Sequence, residues 1–429
     1  MIYKSIFLIA LISLSSCSFF SKKVESLVDS SEKKEELFSK IIKKNLRCDD
    51  NNKIQLMLED ESTFKYYRPM ISPLFESKNY SFIQKAAMLS LIEMARRPDK
   101  TSPSARLQFF IRIKGKDYYF DFRPKNLDDH TKMSYLKAID FLLTNFQSPM
   151  KLSQLASLVD KSTPLATTVS PELEKFFVTY KNELIKNEFL NELFIKGDEA
   201  ITKHESFKRS SLSLIVNNFY AQKLNNDSYY DHSKNALFKI NQEDASSDIF
   251  CNTNIQKENH LKDEYFNYSP NRSHYFALKE DDQFFIAVSS AVIEHPLQNY
   301  KGSSFLKAKP NATAFPVCQF KNKNQDLILF SVAGRNPDQH LKHLLTYDIN
   351  LIENYQPLED LLNFSRHLFL NDPARILYES KRGRRSQLDF FLNMDFPIYH
   401  VESIGDIIGH AGFKKEKSLI VDDRTLTKL

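Results

Sequence analysis

Through much of the first half of this chain, apolar residues return every three or four positions. Leu37, Ile41, Ile42 and Leu46 fall on one helical face, and Phe82, Ala86, Ala87, Leu89, Ile92 and Met94 predict a second helix, ended by Pro98. The same period predicts helices over 133–146, 152–159, 171–195 and 207–224. One stretch breaks the period. Leu107, Phe109, Ile111 and Ile113 recur at every second position up to Lys114-Gly115-Lys116, and Tyr118, Phe120 and Phe122 do so beyond it. That spacing predicts a β-hairpin over 106–123.

Residues 225–247 carry turn-forming clusters such as Asn225-Asn226-Asp227 and predict a boundary. Beyond it the texture changes to short strand-like runs at 284–292, 315–320, 327–332, 397–401 and 419–421. Helical patterns over 358–370 and 384–394 lie between them. Asn336-Pro337-Asp338 starts another helix, with a capping side chain, a proline in the first turn and an acid near the positive end of the helix dipole. The expected class is α+β: a helix-rich domain over 37–225 that carries the hairpin, followed by a mixed α/β sheet domain over 226–429.

The N-terminus adds an address. Lys4 is followed by a mostly apolar run over 5–13, too short to span a bilayer. Next comes Leu14-Ser15-Ser16-Cys17, which resembles the lipobox of bacterial lipoproteins. The resemblance implies that residues 1–16 are a signal peptide and that Cys17 takes a diacylglycerol and becomes an acylated N-terminus, palmitate being a usual acyl group. Three acyl chains anchor durably where one does not. Residues 17–36 then read as a lipidated tether. Ser18 stands where an aspartate would favour the inner membrane, so the resemblance favours the outer membrane over the inner in an envelope with a periplasm, and leaves the membrane face open.

Composition narrows the partners. With 42% hydrophobic and 26% charged residues the chain is globular in balance, and its net charge of +5 is small for its length. From residue 248 onward 22 Lys and Arg face 23 Asp and Glu, so nucleic-acid binding is not expected. In an oxidising compartment three cysteines besides Cys17 cannot all pair. Cys251 and Cys318, both in the second domain, are expected to form a disulfide and leave Cys48 reduced. No two cysteines share a C-x-x-C spacing, and neither a metal nor a cofactor is expected.

The chain lacks a G-x-S-x-G, a phosphate-binding loop, a G-x-G-x-x-G and an H-E-x-x-H. Its C-terminus looks like the H-x-K-x-x-x-x-D strand of the phospholipase D superfamily, with Lys417 and Asp422 at the right spacing. Lys415 stands where that family has its nucleophilic histidine, and the H-x-K triplets at His130, His232, His260 and His340 lack the later acid. His340 and His343 share a helical face but read as surface groups. Two features remain as candidate binding elements. Lys381, Arg382, Arg384 and Arg385 place four cations in five residues and suit an anion. Gly405, Gly409 and Gly412, three of only 8 glycines, fall with Asp406 and His410 in what reads as a tight loop. The function expected is non-enzymatic: a membrane-anchored envelope protein that binds another envelope protein or an anionic ligand. The alternative is a divergent hydrolase or phosphodiesterase using Asp406, His400 and His410.

Overall fold

The computed structural model describes residues 54–58, 66–67, 69–98, 100–124, 133–164, 166–186, 188–203, 205–209, 211–223, 230–234, 238–240, 248–252, 273–292, 309–310, 315–333, 341, 352–371, 374–380, 382, 385–393, 397–401, 404–414, 416–422 and 424. Cys17, the tether, Cys48, Lys381, Arg384, His340 and His343 lie outside them. The chain divides into two units, one of Met1–Leu46, Glu258–Phe266 and Gln356–Ile404, the other of Arg47–Lys257, Asn267–Tyr355 and Gly405–Leu429.

In the larger unit the main strands are β1 (Ile54–Leu58), β2 (Arg106–Ile113), β3 (Lys116–Pro124), β4 (Tyr230–Lys234), β5 (Phe238–Ile240), β6 (Asp248–Cys251), β7 (Ser273–Glu280), β8 (Gln283–Val292), β9 (Val317–Lys321) and β10 (Gln325–Ala333). Its main helices are α1 (Phe82–Arg96), α2 (Ser134–Asn145), α3 (Leu152–Ser162) and α4 (Leu212–Lys223). The smaller unit holds α5 (Tyr355–Asn363), which the dividing line crosses, then β11 (His367–Asn371), β12 (Ala374–Glu379), α6 (Arg385–Leu392) and β13 (Ile398–Val401). Two last strands, β14 (Asp406–Phe413) and β15 (Glu416–Val421), return to the larger unit.

Two antiparallel sheets stack in the larger unit. One is seven-stranded and runs β1-β7-β8-β2-β3-β4, with Lys309–Pro310 paired to β8; the other runs β15-β14-β10-β9-β6-β5. The central strands of the first sheet are apolar on both faces. Leu107, Phe109, Ile111, Phe276, Leu278, Phe285 and Ala287 pack under the helices. Their neighbours Phe110, Tyr275, Ala277, Phe284, Ile286 and Val288 face Val317, Ile328, Phe330, Ile408 and Leu419 of the second sheet. A strand covered on both sides needs no polar face, which is why 284–292 reads as an unbroken apolar run. The described layers are therefore helix, sheet, sheet.

The α+β class and the 106–123 hairpin hold, the hairpin turning on Lys114 and Gly115 at φ 50° and 72°. The domain division differs. β8 lies between β7 and β2, so the first sheet joins residues from both sides of the expected break at 225/226. Long-range strand pairing leaves no local trace in a sequence. The 171–195 pattern is three short helices, Pro171–Thr179, Lys181–Lys186 and Glu188–Phe194, folded around Phe177 and Phe194. Phe207 belongs to strand Ser206–Lys208, and the second half of 358–370 is strand β11, paired with β12.

The glycine-rich segment is also a strand rather than a loop. β14 is buried along its whole length between β10 and β15. A Cβ on Gly409 would lie 2.0 Å from the Ile328 carbonyl oxygen, so glycine is what lets the two backbones approach. Gly405, at φ 67°, makes the turn that precedes the strand. In the smaller unit β12 and β13 are parallel and α6 lies between them in the chain, its Leu388 and Phe391 packing with Ile376 and Tyr378.

Candidate functional site

Helix α1 is buried from Phe82 to Ala95, and its start is fixed by a capping box in which Ser81 and Gln84 exchange bonds. Near its end the apolar surface is interrupted by Glu93, which is fully buried. The carboxylate accepts from Tyr67 Oη at 2.5 Å and Arg96 Nη2 at 2.9 Å, and His274 Nε2 lies 2.5 Å away. Burial alone would raise the pKa of Glu93, but the Arg96 charge and the His274 hydrogen bond outweigh it and bring it down to about 2. Burial, then the Glu93 charge, push the Tyr67 hydroxyl well up. An ionised carboxylate thus sits inside the helix layer, held by a phenol, a guanidinium and an imidazole.

His274 reaches this layer because it shares a face of β7 with Phe276 and Leu278. Its neighbour Ser273 faces the opposite side, toward the second sheet. There Ser273 pairs with Ser290 and Ser290 with Arg106, so the three form a polar row across one end of the first sheet. Arg106 clasps Asp121, with Nε to Oδ1 at 2.7 Å and a second bond from Nη2 to Oδ2. The Ser290 hydroxyl is buried and has no hydrogen-bond partner among the described residues. Ser289, on the other face, donates to the Lys100 carbonyl at 3.1 Å. The two sheets are stitched one pleat away, where the Gln108 carboxamide accepts from Phe315 N at 2.8 Å and donates to its carbonyl at 3.1 Å.

Asp406 opens β14 opposite Ala333, at the same end of the sandwich as Phe315, and is buried. His410 lies four residues along the same strand, about 13 Å at strand rise. It sits toward the other end, stacked on Phe284 at 4.2 Å, while the Arg112 guanidinium also lies over the Phe284 ring and bonds Asp117. Burial, then the Arg112 charge, lower the His410 pKa well below the ordinary value. His400 is an exposed residue of β13 in the smaller unit. The structure does not bring Asp406 and His410 together, so the expected hydrolytic cluster is not assembled by β14.

Of the cationic run, Arg382 is half-buried and donates its backbone N–H to the Glu379 carbonyl at 3.1 Å. Arg385 begins α6. The buried Glu379 carboxylate accepts from Arg366 N at 3.0 Å and from Ile404 N, which fixes the chain just before Gly405. An open cavity of about 470 Å³ lies among α2, α3 and α4, with Asp140 and Tyr220 in its wall, 2.9 Å apart. Among the described residues no cluster of His, Cys, Asp and Glu could hold a metal, and no helix is long and apolar enough to cross a membrane.

Sequence reasoning missed Glu93, His274, Ser273, Ser290 and Arg106. One signal was available: Glu93 is a carboxylate inside an otherwise apolar helical run, and such a position requires partners.

No protein-family profile matches the chain, and no curated protein does. Solved structures do. Two forms of LmbA2991, one a threonine-to-alanine variant, align over 87% of this chain and 97% of theirs, with TM-score 0.55 and 7% identity. Cephalosporin acylase from Bacillus halodurans aligns over 79% of this chain and 90% of its own, with TM-score 0.45 and 9% identity. The transpeptidase enzyme CapD from Bacillus anthracis aligns over 44% and 72%, with TM-score 0.33 and 11% identity. The likeness to LmbA2991 is one of fold.

Proposed function

We propose that this chain is a lipid-anchored protein of the bacterial cell envelope that acts by binding rather than by turnover. The observation that supports the compartment is the disulfide between Cys251 and Cys318, directly opposed residues of β6 and β9 that are both fully buried. Such bridges belong to oxidising compartments. It agrees with the export signal and the lipidated Cys17 that the lipobox implies. Binding is supported by the Ser290 hydroxyl, which is buried without a partner among the described residues. Leaving a buried donor unmade costs about 1–3 kcal/mol, which a ligand polar atom at the row Ser273, Ser290 and Arg106 would recover.

A second reading, a divergent hydrolase, is favoured by the ionised Glu93 beside His274. That pair orients an imidazole as a catalytic carboxylate would. Against it, Ser289 spends its hydrogen on the Lys100 carbonyl, while Ser273 and Ser290 face away from the side on which His274 lies. Labelling native envelopes with a fluorophosphonate separates the readings. The binding reading predicts no adduct; an adduct at Ser273, Ser289 or Ser290 that is lost on His274→Ala establishes the hydrolase instead. In the same cells Cys17→Ser is expected to abolish incorporation of a palmitate analogue and to release or misprocess the protein, read by fractionation. Unchanged membrane association with no acyl label on the wild type contradicts the anchor.

A further inference from the structure

We infer that the open cavity among α2, α3 and α4 is a binding site for a small primary amine, an ammonium group carried on a short apolar body. The cavity lies in the helix layer, whereas the serine row faces the second sheet, so the inference is independent of what that row holds. Its volume of about 470 Å³ falls within the range of small-molecule sites, roughly 300–1,000 Å³. Asp140 is the one carboxylate of α2, and it is buried although it lines the cavity. Leu143 and Leu152, both buried, join Met150 in an apolar part of the wall.

The pattern of donors and acceptors chooses the ligand. Three hydroxyls of the lining spend their hydrogens within the wall. Tyr220 Oη donates to Asp140 Oδ1 at 2.9 Å, Thr144 Oγ1 to the Asp140 carbonyl at 2.8 Å, and Ser148 Oγ to the Met150 carbonyl at 3.0 Å. What these groups offer the cavity is oxygen lone pairs and a carboxylate, which has more acceptor positions than the Tyr220 bond uses. Burial, then the Asp140 charge, push the Tyr220 hydroxyl up, so the phenol keeps its proton and remains the donor of that bond. An ammonium group, with three N–H donors and a positive charge, complements this set, and an anion does not. The Ser153 hydroxyl can take either role, and Lys151 is exposed, where solvent screens its charge. A tie between α4 and α2 would need only a neutral acceptor for Tyr220, and burying a carboxylate costs more than burying a carboxamide.

The test uses the full chain carrying Cys17→Ser, labelled at the methionine methyls, with the Met150 methyl as the reporter in nuclear magnetic resonance titrations. Hexylamine, 1-hexanol and hexanoate share one apolar body and differ in charge. Hexylamine is expected to shift the Met150 resonance saturably and to bind about tenfold more tightly than hexanol, since its hydrogen bonds are charge-assisted, while hexanoate does not bind. Asp140→Asn keeps an oxygen for Tyr220 and removes the charge. It should bring hexylamine to the affinity of hexanol, with the urea midpoint showing that the variant is folded. No saturable shift at Met150, methyl shifts spread over all the methionines alike, equal binding of hexylamine and hexanol, or a preference for the amine that survives in folded Asp140→Asn overturns the inference. The comparison of the three ligands is made on the unsubstituted cavity, so it decides the matter even where the variant does not fold.

Discussion

Gly409 shows how one missing atom governs a sheet. An alanine methyl there would meet the Ile328 carbonyl at 2.0 Å, inside the pairing of β10 and β14, whereas at Gly412 the nearest atom is 3.5 Å away. Gly409→Ala is expected to destabilise by more than about 3 kcal/mol and Gly412→Ala by much less, measured by urea unfolding. Equal, small effects would contradict the register of β14. One buried and one half-buried imidazole set a pH dependence. Burial lowers His367 to about 4 and, with the Arg112 charge, carries His410 well below 6.5. The unfolded chain then binds protons that the folded chain refuses, so stability is full above pH 6.5 and is lost as pH falls. The slope is up to about 1.4 kcal/mol per pH unit for each group. Unfolding titrations from pH 7 to pH 5 should show that loss, flattened in His410→Gln; a stability that rises toward pH 5 contradicts it. Glu93→Gln removes the charge that holds Arg96 and His274 and should cost about 3–5 kcal/mol, read in the same assay, whereas a neutral result would mean the cluster is not structural.

Elements were legible where the pairing is local. The hairpin of β2 and β3 announces itself by alternation on both sides of Lys114-Gly115, and α1 by its period and by the proline that follows it. Strand β14 was not legible, because glycines that admit a neighbouring backbone read the same as glycines that make a loop. Nor was the helix breaking within 171–195, where Phe177 and Phe194 are apolar at helical spacing yet meet face to face at 4.4 Å across two turns of chain. The disulfide was legible as a pairing but not as a position. It crosslinks strands already paired and closes a loop of 67 residues, which in the chain-entropy model contributes about 4 kcal/mol. Reduction, or Cys251→Ala with Cys318→Ala, should lower the urea midpoint accordingly, and an unchanged midpoint would show that the bridge adds nothing to β6 and β9. At the site, the serines and Arg106 could not have been grouped from sequence, since they come from three strands that meet only in the folded sheet.

At the scale of the whole molecule, the first sheet is assembled from both halves of the chain, and its polar end carries the charges that the apolar faces exclude. The fold shared with LmbA2991 supplies a scaffold, while the residues at that end decide what it does. Here a buried carboxylate and imidazole lie on one face and the Ser273, Ser290 and Arg106 row on the other, and it is on this separation that our proposal of binding rather than turnover rests. The signal peptide that we propose for residues 1–16 and the bridge between Cys251 and Cys318 agree on an oxidising compartment. Top-down mass spectrometry of the chain isolated from native envelopes tests that claim most directly. The account predicts one species that begins at an acylated Cys17, lacks the preceding residues and has Cys251 joined to Cys318; a chain that retains its first residues without acylation, or that carries both thiols reduced, would contradict it.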